Sequence, residues 1–97
     1  MHKENAILEL SFNFALKIIK FTENLETLRK YNMANQLFSS GTSIGANTWE
    51  SQNGESKADF IHKLKIADKE ANETEYWLLL CQHSDSYPNC ENLLDEN

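Results

Sequence analysis

Residues 56–84 read SKADFIHKLKIADKEANETEYWLLLCQHS, and this stretch decides the architecture. Phe60, Leu64, Ala67, Ala71, Thr74, Leu78 and Cys81 recur at steps that alternate between four and three, the seam of a helix lying along a partner helix. Ser56 supplies a hydroxyl for an unpaired N–H of the first turn, and Asp59 is a shorter stand-in for the usual capping-box Glu. The helix is expected to fray near Ser84-Asp85-Ser86, because Pro88 lacks the N–H to continue it. Ala67 and Ala71 are small where a close neighbour needs room.

The neighbour is sought upstream, beyond a turn at Ser51-Gln52-Asn53-Gly54-Glu55. There Ala34, Leu37, Gly41, Ile44 and Thr48 share one face at spacings of three and four. Ser, Gly and Asn are poor helix formers, so Ser39 to Asn47 reads as a loop by propensity alone. The spacing nevertheless predicts a helix, with Gly41 and Gly45 as the helix-packing surface facing Ala67 and Ala71. A further helix is predicted from about residue 5 to the mid-twenties, with Ile7, Phe14, Ile18, Phe21, Leu25 and Leu28 on one face. Leu8, Phe12, Ala15 and Ile19 repeat the spacing one residue on, about 100° round the helix. So wide an apolar arc fits either a central helix between two neighbours or a helix that also meets another subunit. Pro88-Asn89 is expected to open a short last helix that contains Leu93 and Leu94 and is stable only if it docks.

Composition agrees with an all-helical fold. The 97 residues fit one domain, with 40% hydrophobic and 25% charged residues. Three Gly, one Pro and no Val leave neither the turn residues nor the β-branched content of an all-β fold. No apolar run of about 18 residues is present to span a membrane, and the N-terminus has no signal-peptide pattern. The expectation is an unexported, cytoplasmic chain with Cys81 and Cys90 as free thiols rather than one staple. A chain this short buries a marginal core alone, which points to another subunit for support.

Catalytic signatures are missing: the sequence has no GxxxxGK[ST], HExxH, paired CxxC or GxSxG. Asp59 and His62 have the i, i+3 spacing of a di-iron motif but lack a second copy, so His62 reads as solvated. Glu70, Glu73 and Glu75 read as a polar flank, since acid–base work needs a pocket and a shifted pKa. No enzymatic centre, cofactor or metal is expected. Trp49 and Trp77, with Phe12 and Ile19, are candidate interface residues, because Trp is enriched at such surfaces. The net charge is −6, divided as +1 over residues 1–30 and −7 over residues 31–97. Only Lys17, Lys20, Arg29 and Lys30 form a basic cluster for nucleic-acid contact.

Three runs carry a family resemblance: Ser39 to Asn47 (SSGTSIGAN), Ser56 to Leu64 (SKADFIHKL) and Glu70 to Leu78 (EANETEYWL). With them the chain resembles the proteins encoded within intervening sequences of bacterial 23S ribosomal RNA genes, from about Ser11 to the start of the fourth helix. The resemblance implies an antiparallel up-and-down four-helix bundle that associates as a ring-like homopentamer and has no established enzymatic activity. A relative of the same fold, the accessory variability protein of diversity-generating retroelements, binds reverse transcriptase and nucleic acid. This chain departs from the family at Ser39, where Arg is usual, and from that relative in its acidity. The family's fourth helix runs several turns, so a short or truncated one ending at Asn97 is expected to leave apolar surface uncovered. Two roles follow: an oligomeric assembly or adaptor module, or an accessory protein partnered with RNA or a nucleic-acid-processing protein.

Overall fold

The computed structural model describes residues 6–97, which form four helices: α1 (Ala6–Thr27), α2 (Tyr31–Ser51), α3 (Lys57–His83) and α4 (Glu91–Glu96). No strand occurs among the described residues. Asn5, where the sequence pattern starts the first helix, lies outside them. Helices pack as the four edges of a square, α1 on α2, α2 on α3, α3 on α4 and α4 on α1. Across the diagonals no pair of Cα atoms approaches within 8 Å. This is the four-helix bundle, 45 × 23 × 20 Å, with one corner filled by a helix of only six residues.

The helix through Ser39 to Asn47 forms despite its composition because one face of α2, with Leu37, Ser40, Gly41 and Thr48, is buried against its neighbours. Several of its hydroxyls are satisfied within it. Thr42 and Ser43 donate to the carbonyls of Phe38 and Ser39, both at 2.6 Å, and Thr48 donates to Ile44 at 2.7 Å. Side chains that compete with a helix elsewhere are here turned back on its own carbonyls. The α1–α2 turn is a Schellman motif: Lys30 N–H donates to Leu25 C=O at 2.8 Å and Arg29 N–H to Glu26 C=O at 2.9 Å. Arg29 takes the left-handed position, with φ 63°. Ser56 caps α3 as expected, its hydroxyl accepting from Asp59 N–H at 3.1 Å.

Two expectations are corrected. Gly41 and Gly45 close up on α1, not on Ala67 and Ala71: a Cβ at Gly41 would stand 2.8 Å from Ile18 Cγ1, and one at Gly45 3.2 Å from Ser11 C=O. The two glycines therefore set the α1–α2 approach, while α2 meets α3 through Ser40, whose hydroxyl lies 2.9 Å from Thr74 Oγ1. The last helix begins after Cys90, not at Pro88-Asn89, because Asn89 Oδ1 accepts the N–H of Glu91 and closes a turn first. The α3 seam is buried at Ala67, Thr74, Leu78 and Cys81, half-buried at Leu64 and Ala71, and exposed at Phe60. In α1 the buried face is Leu8, Ser11, Phe14, Ile18, Thr22 and Leu25, leaving Ile7 and Leu28 outside.

Candidate functional site

The buried polar atoms of this molecule are structural. Ser11, Thr22 and Ser51 donate to carbonyls three residues back in their own helices, at 3.1, 3.0 and 2.6 Å. Thr74 Oγ1 lies within reach of both the Glu70 carbonyl, at 2.8 Å, and Ser40 Oγ. With one proton to give, Thr74 donates to the carbonyl and accepts from Ser40. Among the described residues no buried side-chain nitrogen or oxygen lacks a partner, and no three acidic, His or Cys side chains converge as a metal site. Asp59 and His62 are both exposed, as is Glu75. Glu73 is half-buried and accepts from the Trp77 indole N–H at 3.3 Å.

The expected interface residues separate into two places. Phe12 and Trp49, each 45% exposed, wall one groove of about 310 Å³ where α1 lies against α2. The small residues Ala15, Gly45 and Ala46 line it as well, with Leu8, Ser11 and Thr42. Ile19 is half-buried further along α1. Trp77 sits elsewhere, half-buried against the core from α3, with Tyr76 edge-on at 5.3 Å between ring centroids. Large apolar side chains that the sequence reading did not single out also face outward, notably Leu10 and Leu16 on α1 and Leu79 on α3.

The basic residues likewise fall into two pairs. Lys17 and Lys20 border an open cleft of about 740 Å³ between α1 and the start of α4, above Phe21 and beside Asn24, Asn92 and Glu91. Lys17 is ion-paired with Glu96 of α4. Lys30, at the α1–α2 turn, donates to Ser86 Oγ at 3.3 Å and stands 4.9 Å over the Tyr87 ring. Arg29 is exposed beside it. The segment after α3 thus engages two of the four cations, with contacts too distant in sequence to carry a local signature.

A four-cornered helical bundle, with an aromatic-walled apolar groove on one edge and a lysine-bordered cleft on another, is the class these features define. The chain belongs to the 23S rRNA-intervening sequence protein family, whose model matches residues 3–95. It is similar to a protein of unknown function from the S23 ribosomal protein family of Bacteroides thetaiotaomicron, at 40% identity over 94% of this chain and 87% of that one, with a TM-score of 0.88. No curated protein matches it. The resemblance read from the three sequence runs is therefore the chain's family.

Proposed function

We propose that the chain is a non-enzymatic bundle that self-associates and serves as an assembly or adaptor module. The observation that carries this is the exposure of Phe12 and Trp49 on the two walls of one apolar groove. Contiguous apolar surface of this kind marks an interaction site, and Trp anchors such sites more than its abundance predicts. Leu16, 51% exposed, adds to the apolar exposure of α1. The family likeness favours a second copy as the partner and five as the number. Light scattering after gel filtration tests it: the expected mass is several subunits at micromolar concentration, reduced to one by Phe12→Glu or Trp49→Glu. A single-subunit mass for the unaltered chain overturns the reading.

The second reading is an RNA-associated accessory protein. It is favoured by the family's link to a ribosomal RNA intervening sequence and by Lys20, which is exposed beside the α1–α4 cleft and has no hydrogen-bond or ion-pair partner among the described residues. Gel shift with structured RNA across a salt series separates the two, because each phosphate contact adds about 0.7–0.9 to the salt slope. An assembly module gives no shift at low salt. An RNA-binding one gives a shift that Lys17→Glu with Lys20→Glu removes. Either role belongs in the bacterial cytoplasm.

A further inference from the structure

Cys90, the residue that precedes α4, is tied twice to one turn of α3. Its N–H donates to Gln82 Oε1 at 2.8 Å, and its thiol donates to the Leu78 carbonyl at 3.2 Å. Cys81 lies between these two anchors, on the helix face it shares with Leu78. The Cα–Cβ bond of a helical residue tilts back toward the helix N-terminus, so the Cβ of Cys81 leans toward that same turn. Both cysteines are buried, at 1% and 3% exposure, and both belong to one core cluster. The local chain thus brings together the only two thiols it has, nine positions apart in sequence.

We propose that Cys81 and Cys90 are a dithiol–disulfide site, oxidised within the folded chain by a small-molecule disulfide of the glutathione type. One cysteine thiolate attacks a sulfur of glutathione disulfide and releases the first glutathione as its thiol. The second cysteine then attacks the protein sulfur of the mixed disulfide and releases the second glutathione. Two electrons and two protons pass from the protein to glutathione, and a Cys81–Cys90 bond forms. That bond fastens the start of α4 to α3. A six-residue helix does not hold itself together, and α4 otherwise depends on docking contacts such as Glu96 with Lys17 and Asn97 with the Ala71 carbonyl. Burial raises both thiol pKa values and keeps the reactive thiolate scarce, so exchange proceeds when residues 84–97 lift from the core.

Equilibration of the full chain in glutathione redox buffers, approached from both the reduced and the oxidised side, tests the site. The readouts are the loss of two hydrogens by mass spectrometry and a Cys81–Cys90 cross-linked peptide. The expected effective concentration of the two thiols is at least about tenfold higher in the folded chain than in denaturing urea, with the helical circular dichroism retained. Cys81→Ser and Cys90→Ser should each take up only a single glutathione. An effective concentration no higher folded than unfolded overturns the proposal. So does a folded product that carries glutathione on both cysteines, or a disulfide form that has lost its helical signal.

Discussion

The side chain of Ile18 occupies the space that a Cβ at Gly41 requires, with Cγ1 and Cγ2 2.8 and 2.9 Å from that position. Ile18 is fully buried, and both of these atoms are attached to its branched Cβ, so they have little freedom to swing aside. Gly41→Leu is expected to lower stability by about 1–3 kcal/mol or more through overpacking. Gly41→Ala should cost less, because alanine recovers roughly 1 kcal/mol of helix propensity. Shortening the neighbour with Ile18→Ala should relieve Gly41→Ala, a coupling that a double-mutant cycle in urea denaturation measures. Ala67→Gly should show no such coupling. Additive effects of Gly41→Ala and Ile18→Ala would show that the two residues do not share the space.

The hydroxyls of Ser40 and Thr74 join α2 to α3 at 2.9 Å with both residues buried, and Thr74 is the hydrogen-bond partner of the Ser40 hydroxyl. Thr74→Val keeps the shape and removes that partner. The expected loss is about 1–3 kcal/mol, the desolvation cost of a stranded hydroxyl. Ser40→Ala combined with Thr74→Val leaves nothing unpaired and should be more stable than Thr74→Val alone. Thermal unfolding of the four chains in the cycle decides it, and a double variant worse than Thr74→Val would mean that the pair is not an isolated bond.

The difference between these two contacts explains how much of the fold was legible. The seam of α3 was readable because Ala67, Leu78 and Cys81 are apolar at regular steps and Thr74 falls in line with them. The core face of α1 was harder to read, since it contains Ser11 and Thr22, whose hydroxyls are satisfied within their own helix. Periodicity located the buried side of α2 but not which neighbour each position meets. Ser40 and Gly41 are adjacent in sequence, about 100° apart round the helix, and they face α3 and α1 respectively. Phe12 and Trp49 stood out as candidates because they are large and off the seam. Trp77 looked equivalent, but Glu73 one turn earlier takes its indole N–H and the ring packs on the core. The Lys17–Glu96 pair spans 79 positions, and nothing local announces it.

Arg29 occupies the left-handed end of the α1 cap with φ 63°, where a side chain costs about 1–2 kcal/mol and glycine is free of that strain. Glycine also gives the unfolded chain more conformational freedom, which offsets part of the gain. Arg29→Gly is expected to raise stability by roughly 0.5–1 kcal/mol without changing the helical signal. Arg29→Val, β-branched at the same position, should lower it. The comparison of the two melting temperatures is the test, and equal values would remove the strain from the account. If RNA binding is present, its loss in Arg29→Gly would separately assign Arg29 a phosphate contact.

Cys81 gives the chain a specific weakness in alkali. Burial, reinforced by the neighbouring Cys90, pushes its thiol up to about 12 from an ordinary 9.0. Below pH 9 the thiol is protonated whether the chain is folded or unfolded, and it contributes nothing to the pH dependence. Between about 9 and 12 the unfolded chain releases the proton while the folded chain keeps it. The unfolded state then binds fewer protons, so stability falls as pH rises, by up to about 1.4 kcal/mol per pH unit for this group. Other groups change charge in alkali as well, so the informative quantity is a difference. Cys81→Ala is expected to cost stability at pH 7, because it leaves a gap beside Leu78. Its deficit relative to the unaltered chain should shrink steadily from pH 9 upward. Urea denaturation midpoints under reducing conditions at several pH values read this directly. Parallel pH profiles for the two chains would mean that the Cys81 thiol ionises as readily folded as unfolded.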